Sequence, residues 1–533
     1  MQPLLPALIG LLAVVALVAL VAPRTRVPAP VLLALGGVLL GLLPDFPRLA
    51  LDPDLVLLGF LPPLLYADAF SASWVDFRRW LRPILMLAVG LVAFTTLAVG
   101  FVAHAALPEL PLPVCFLLGA IVSPTDTLAV QSVIERLRIP RRMTAVLGGE
   151  SLVNDATGLV GVQLGIAALS GGAFELGSFG ADFLWITGGG VLAGLAVGAL
   201  CVFANRKARG NELLFVLSLL APYLAFFAAH ALHASGVLAV VVAGFLVSWR
   251  IHEVPPASRV ELYSTWSNLS YVLNAFCFVL IGVETPQLLA ESHSAFGTRG
   301  LLVAGGAVSA AVIATRIVWM FPGAYVPLWL SRRLREREGG YPSWRAVTVA
   351  SWCGVRGVVS LAAALSVPTL LADGVTPFPG REAVLACTLA VILITLFVQA
   401  PTLHPLIQRM GLSDVDTSAS EVRRAREALL EAGIARLDAF CSEVSCPLSV
   451  HHWRSQMQDE LLALRSEDED ERTRARTRLE VSLEVRKAVA EAHAHELLCL
   501  RDRGLLNDKS YLELQLELDR SHPEFAGAAR ETP

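Results

Sequence analysis

The chain has 533 residues, of which 55% are hydrophobic and 17% charged, with a net charge of −4. A soluble chain carries about 25% charged residues, so this apolar content exceeds what one soluble core can bury. The slightly negative balance gives no indication of a nucleic-acid partner. The eight cysteines form no C-x-x-C pair, which argues against a disulfide framework or a zinc site, and we expect no cofactor.

Long apolar runs recur over residues 1–410, and runs of about 17–25 residues can cross roughly 30 Å of hydrocarbon as helices. About thirteen runs are present, at 4–22, 28–43, 54–70, 83–107, 112–134, 143–169, 182–204, 212–232, 235–249, 265–283, 301–330, 345–371 and 384–408. Residues 411–533 instead contain amphipathic patterns such as "SEVRRAREALLEAGIARLDAF". The sequence therefore predicts an all-α polytopic membrane protein with a transmembrane domain at 1–410 and a cytoplasmic helical tail at 411–533.

The loops between the runs test this count. When alternate loops are taken from the first loop onward, nineteen Arg and Lys residues lie on one side of the membrane. The other side has three, at Arg48, Arg299 and Arg381. Positive loops mark the cytoplasmic side, so the alternation supports thirteen helices in the cell membrane, with the N-terminus outside and the tail in the cytoplasm.

Six ionisable side chains remain at membrane depth, where each costs at least ~2.5–3.5 kcal/mol even on insertion scales. They are four acids and two bases: Asp68, Asp126, Glu150, Asp155, Arg316 and Arg356. Such residues usually face the interior of a helix bundle and mark ion or proton pathways. The set therefore predicts transport of a cation or of protons.

The stretch "GGESLVNDATGLV" carries its polar groups on two neighbouring stripes of a helix. Residues four apart lie nearly one above the other, so Ser151 aligns with Asp155, and Glu150 aligns with Asn154. A hydroxyl and a carboxylate on one face make a hard-oxygen site, which suits a small cation or a proton. The carboxylate on the other stripe can be neutralised by one of the two buried arginines.

Two spans contain residues that interrupt a helix. In "GAIVSPTDTLAV", Pro124 removes a backbone donor and is followed by Thr125 and Asp126. In "SWCGVRGVVSLAAAL", Gly354 and Gly357 flank an arginine. Interrupted helices in the two halves of a chain predict a transport site near the membrane midplane, built on inverted repeats.

With these pieces, residues 24 to about 370 resemble the cation/proton antiporter superfamily, in the bacterial type of its sodium/hydrogen exchanger branch. The resemblance rests on seven stretches: "PVLLALGGVLLGLLP", "LPPLLYADAF", "GAIVSPTDTLAV", "GGESLVNDATGLV", "APYLAFFAAHALHASGVLAVVVAG", "FVLIGVE" and "GVRGVVSLAAALS". It implies two inverted repeats of six helices, a dimerisation domain that makes a homodimer, and a mobile core with two crossing broken helices.

The resemblance also implies the activity, which is secondary active antiport of Na⁺, and also Li⁺, for H⁺ by alternating access, in sodium transport and pH homeostasis. Asp155 would bind either the cation or the proton. Asp126, the Thr125 carbonyl and the Ser151 hydroxyl would complete the Na⁺ shell.

The remaining core residues have supporting roles in this resemblance. Glu150 would pair with Arg316 near Asn154, and Arg356 would offset the dipole ends where the broken helices cross. Electrogenic relatives have Asp in place of Asn154, so a single Asp here implies electroneutral exchange.

Two departures from the family pattern and several alternatives stay open. Thr127 stands where many relatives have Pro, and Asp68 lies one residue beyond the usual acid, so we expect Asp68 only on the ion pathway. A K⁺/H⁺ antiporter of the same fold is one alternative. A cation channel would need a continuous polar stripe, and an intramembrane enzyme built on Ser151 or His104 would need a catalytic partner, which no spacing provides.

Overall fold

The structure is a computed structural model. It describes residues 4–25, 27–44, 46, 55–127, 130, 133–134, 137, 139–169, 176–208, 210–371, 375–412, 417–443, 448–466, 468–503, 514–515 and 518. The chain forms two compact units, residues 1–415 and 416–533. The described residues are helical, apart from loops and one isolated β-bridge between Leu370 and Pro377, which confirms the all-α prediction. The predicted loop arginines 26, 48, 136, 138 and 209 and parts of the span 112–134 lie outside the described residues.

The first unit contains most of the helices. Its first half has α1 (Leu4–Val21), α2 (Ala29–Gly41), α3 (Leu61–Ser71), α4 (Trp74–Arg79), α5 (Leu81–Leu85), α6 (Val92–Ala106), α7 (Leu112–Val122), α8 (Arg141–Leu169) and α9 (Leu176–Lys207). Its second half has α10 (Asn211–Ala231), α11 (Gly236–Trp249), α12 (Pro256–Leu330), α13 (Arg332–Arg337), α14 (Trp344–Trp352), α15 (Val358–Leu365), α16 (Arg381–Ile394) and α17 (Ala400–Met410). Short π-helical turns at Leu55–Phe60, Met86–Leu91 and Thr395–Gln399 join some of them, and single 3₁₀ turns lie at Ala22–Arg24 and Ile251–Glu253.

Seven helical segments of the described residues are long and apolar enough to cross a membrane. They are Pro6–Arg24, Leu81–Ala106, Gly180–Lys207, Asn211–Ala231, Ser258–Ala290, Leu302–Leu330 and Arg381–Met410. Three shorter apolar helices are α2, α7 and α11. The other predicted spans contain α3, α8, and the pair α14 and α15, which are short, polar or interrupted. The count of thirteen membrane-spanning helices therefore stays a prediction. Some of the segments that are too short, too polar or interrupted carry the charged residues.

Two features of α12 were not predicted from the sequence. The predicted loop 284–300 is helical, so α12 continues through two apolar spans. Residues in this stretch such as Leu, Ala, Gln and Glu are good helix formers. Elsewhere, α12 approaches α2 so closely that a Cβ added to Gly282 would lie 2.8 Å from the Gly37 Cα. This packing requires glycine on both helices.

The second unit contains α18 (Thr417–Glu443), α19 (Leu448–Arg465) and α20 (Glu469–Asp502), which confirms a helical tail. Exposed ion pairs join neighbouring helices, as between Arg454 and Asp438 at 2.6 Å. The tail also contains a disulfide at Cys441, which the cysteine spacing did not predict.

Candidate functional site

Two unwound segments meet inside the first unit. Residues 123–127 follow the end of α7 without helical structure, and residues 353–357 separate α14 from α15. The Asp126 N–H donates to the Val355 carbonyl at 2.7 Å, which joins the two segments directly. The predicted pair of crossing broken helices is therefore present.

Arg356 links the second unwound segment to the end of α7. Its side chain is 1% exposed, and its Nε donates to the Val122 carbonyl at 2.9 Å. Its Nη2 donates to the Ser123 carbonyl at 3.4 Å, and its Nη1 donates to the Gly354 carbonyl. A cation at this position compensates the partial negative charge at the C-terminal end of a helix, which is the role that the resemblance implies for Arg356.

Glu150 and Arg316 form a fully buried ion pair. Both side chains are 1% exposed, and two guanidinium nitrogens donate to the two carboxylate oxygens, with Nη2–Oε2 at 3.0 Å. Arg316 also donates to the Ala350 carbonyl from Nε at 3.3 Å and from Nη2 at 3.2 Å. The Thr125 hydroxyl donates to Glu150 at 3.1 Å. The pair thus ties α8 and α12 to both broken helices.

Thr125 connects this ion pair with the other polar residues of α8. Its carbonyl accepts the Ser151 hydroxyl at 3.2 Å and the Asn154 amide at 3.3 Å. The same amide donates to the Thr125 hydroxyl at 2.8 Å. The Oδ1 of Asn154 is buried and has no hydrogen-bond partner, although buried polar atoms are nearly always paired. The network therefore leaves one buried oxygen without a donor beside Thr125.

Asp155 lies on the same helix and differs from Glu150. Its side chain is 8% exposed, and no hydrogen bond or ion pair from any described residue reaches its carboxylate. It interacts electrostatically with Asp126 and Asp68. No three His, Cys, Asp or Glu side chains of the described residues lie close enough to hold a metal ion. A cation bound by Asp155 would therefore depend on hydroxyl, amide and carbonyl oxygens as well as carboxylates.

A cavity of about 310 Å³ with polar as well as apolar residues in its lining lies beside these residues, and we call it the entrance cavity. Asp68, Thr127 and Ser151 are among the residues that line it. Asp76 and Arg141, from two loops that the sequence analysis places on the cytoplasmic side, also line it and form an ion pair at 2.9 Å. Asp68 thus lies beside the predicted site, in spite of its shifted position in the sequence.

The contacts of two residues of the site were not predicted from the sequence. The Thr395 hydroxyl accepts the backbone N–H of Arg356 at 3.1 Å, and a polar residue within the apolar run "VILITLFVQA" was its only signal. Gly357 lies against Asp126, since a Cβ added there would overlap the carboxylate oxygen Oδ2. Both contacts join distant parts of the chain, so no local pattern indicates them.

Comparison with known proteins identifies the family of the chain. The family model described as sodium/hydrogen exchanger, transmembrane, matches residues 10–409. An uncharacterised Na⁺/H⁺ exchanger of Mycobacterium tuberculosis is 35% identical over 83% of this chain and 82% of the relative. The sodium, potassium, lithium and rubidium/H⁺ antiporter of Bacillus pumilus is 30% identical over 77% of this chain and 62% of the relative.

The fold is also similar to that of a solved structure. It matches the sodium proton antiporter MjNhaP1 of Methanocaldococcus jannaschii with a TM-score of 0.59 and 22% identity, over 77% of this chain and 99% of that one. The resemblance drawn from the sequence motifs is confirmed. The chain therefore belongs to the sodium/hydrogen exchanger family, whose members are membrane-embedded transporters of cations and protons and not enzymes.

Proposed function

We propose that the protein exchanges Na⁺ for H⁺ by alternating access, with the two ions competing for Asp155. The observation that carries this proposal is the contrast between two carboxylates of one helix. Glu150 is neutralised by Arg316, whereas no described residue donates to or pairs with Asp155. An ionised carboxylate at membrane depth is costly, so Asp155 moves across the membrane only with a proton or a cation bound.

The oxygens around Asp155 suit a small hard cation. We assign the Na⁺ shell to Asp155, Asp126, the Ser151 hydroxyl and the Thr125 carbonyl, because hard cations prefer oxygen ligands. The unpartnered Oδ1 of Asn154 supports the assignment, since it is a further oxygen without a donor. The Thr125 carbonyl already accepts two hydrogen bonds, so Ser151 would turn toward the cation on binding.

Exchange of one cation for one proton follows from the charges of the site. Asn154 is neutral and hydrogen-bonded to Thr125, and Glu150 is held by Arg316. Asp155 is then the carboxylate that changes its occupant, with Asp126 remaining in the shell. We therefore propose electroneutral transport, for which clamping the membrane potential with valinomycin and K⁺ leaves the rate unchanged.

The decisive experiment uses proteoliposomes with an imposed pH gradient and a quenched pH-sensitive dye. We expect Na⁺ to restore the fluorescence with the wild-type protein and not with Asp155→Asn. Asp182→Asn is the matched control, because Asp182 is exposed at the start of α9, and we expect it to behave as wild type. Na⁺-dependent dequenching by Asp155→Asn at the wild-type rate would refute the assignment.

K⁺/H⁺ exchange is the second candidate. The Bacillus pumilus relative is described as accepting sodium, potassium, lithium and rubidium, and it is 30% identical to this chain. Adding Na⁺, Li⁺ and K⁺ in turn to the same vesicles separates the two proposals. Dequenching by K⁺ alone would replace Na⁺ as the proposed ion.

We further propose that the protein lies in the cell membrane with its N-terminus outside and its tail in the cytoplasm. Ion pairs support this topology, since Arg82 with Glu338 and Arg206 with Glu253 each join two loops predicted on the same side. We also expect a homodimer, which light scattering of the purified protein can test. Labelling a cysteine introduced near the N-terminus, from outside intact cells, would test the orientation.

A further inference from the structure

A second cavity lies beside α8 and has a different character from the entrance cavity. It also measures about 310 Å³, at the lower end of the range of roughly 300–1,000 Å³ for ligand-binding cavities. Its lining is apolar and includes Met86, Met143 and Met320 with Ala324 and Val347. Methionine side chains are flexible and adapt to irregular apolar ligands. We call this space the apolar cavity.

Two arginines are also part of the lining of the apolar cavity. Arg82 and Arg142 line it, and both donate to Glu338, at 2.6 Å and 2.9 Å. The guanidinium of Arg142 also lies 4.4 Å from the ring centre of Trp80, which Arg79 approaches at 5.3 Å. Two arginines thus share one carboxylate, and a third, Arg79, lies against the same tryptophan ring as Arg142.

The positive charge of this cluster is incompletely compensated. Arg142 lies in the first turn of α8, before the predicted span 143–169. Burial lowers the pKa of Arg142, and although Glu338 raises it, Arg82 and Arg79 lower it further. An additional anion at this cluster would relieve the repulsion among the arginines, because arginine binds phosphate groups in bidentate geometry.

The cluster lies on the side of the membrane to which the basic loops assign the cytoplasm. The helix α5, which contributes Arg82 to the cavity, also carries exposed Leu81 and Leu85, at 38% and 43%. Basic pockets between helices on the cytoplasmic side bind the headgroups of anionic lipids. We propose that the apolar cavity holds an acyl chain of an anionic phospholipid of the inner leaflet, with its phosphate on Arg82 and Arg142.

The bound lipid would contact α8, the helix that carries Asp155. Leu147 lines both the apolar cavity and the entrance cavity, so the first turns of α8 separate the two spaces. Ala350 also lines the apolar cavity, and its carbonyl accepts two hydrogen bonds from Arg316. The lipid therefore supports the side of α8 opposite the entrance cavity.

Native mass spectrometry of the full-length protein tests the proposal without measuring transport. The probes are palmitoyl-oleoyl phosphatidylglycerol and phosphatidylcholine at equal concentration. We expect phosphatidylglycerol to be retained about fivefold more, equivalent to about 1 kcal/mol for an arginine near an anionic headgroup. Ala324→Trp should abolish this preference by filling the cavity, and Arg142→Gln should reduce it while leaving the cavity open.

The matched control is Val326→Trp, two residues further along α12, where the side chain is 46% exposed. We expect this variant to retain phosphatidylglycerol as the wild type does. Equal retention of the two lipids by the wild type would overturn the proposal. So would wild-type retention by both Ala324→Trp and Arg142→Gln. Complete displacement of the lipid by glycerol 3-phosphate would show a headgroup site without an acyl chain, which also contradicts it.

Discussion

Replacing Arg316 by alanine isolates the free energy of the buried ion pair. The change removes both nitrogens that contact Glu150 and both hydrogen bonds to the Ala350 carbonyl. Glu150, which is 1% exposed, keeps only the Thr125 hydroxyl among the donors described above. Removing one partner of a buried pair costs about 3–5 kcal/mol, since it leaves an uncompensated charge.

The double variant Glu150→Gln/Arg316→Met separates lost charge compensation from lost packing. Replacing both members of a buried pair is often nearly neutral, so we expect it to recover most of the stability. The assay is the melting temperature of the detergent-solubilised protein, read as the fraction that remains monodisperse after heating.

Arg381→Ala is the control for the loss of an arginine that donates only to carbonyls. Arg381 contacts the Val367 carbonyl at 2.9 Å and the Leu365 carbonyl at 3.4 Å, and it is half-buried. We expect Arg316→Ala to melt well below Arg381→Ala. Equal melting temperatures for these two variants, or a double variant less stable than Arg316→Ala, would refute the reasoning.

Three further predictions concern other contacts. Gly357→Ala should fold and lose Na⁺-dependent dequenching, because its Cβ would displace the carboxylate of Asp126. The control Gly306→Ala has nothing within 4 Å of the added Cβ and should keep wild-type activity. Equal dequenching rates for the two variants would contradict this prediction. Thr395→Val should cost about 1–3 kcal/mol by leaving a buried N–H unsatisfied. Its melting temperature should therefore fall below that of the control Thr96→Val, which removes a hydroxyl that donates to the Val92 carbonyl of its own helix at 2.8 Å. A hydrogen-bonded arginine lowers the pKa of Glu253 from 4.5 to about 2. The resulting small stabilisation of the folded state is complete above pH 4.5 and is lost as the pH falls toward 2. The difference in melting temperature between wild type and Glu253→Gln should therefore be constant from about pH 8 to 5 and narrow below pH 4.5.

Charge is rare in the membrane, so the sequence leaves few candidates for the polar core. A short set of buried ionisable residues limited the partner of Glu150 to two arginines, and the family resemblance selected Arg316. The structure contains that pair. Pro124 and the glycines around Arg356 likewise predicted two interruptions, since few residues disrupt a helix for other reasons at this depth.

The contacts between the interruptions could not be predicted in the same way. Asp126 donates to Val355, and Thr395 accepts from Arg356, across large separations in sequence. Helical periodicity fixes neighbours three and four residues apart and says nothing about these pairs. Hydropathy has a related limit, because α8 carries polar groups that lower its apparent tendency to cross the membrane.

The large separation of Glu150 and Arg316 along the sequence has a consequence for biosynthesis. The two residues are 166 positions apart, and a ribosome adding 5–20 residues per second needs about 8–33 s to reach the second. During that interval the newly made α8 lacks the counter-charge that it has in the finished protein. We therefore expect this helix to enter the bilayer late, held beside the translocon until the arginine emerges.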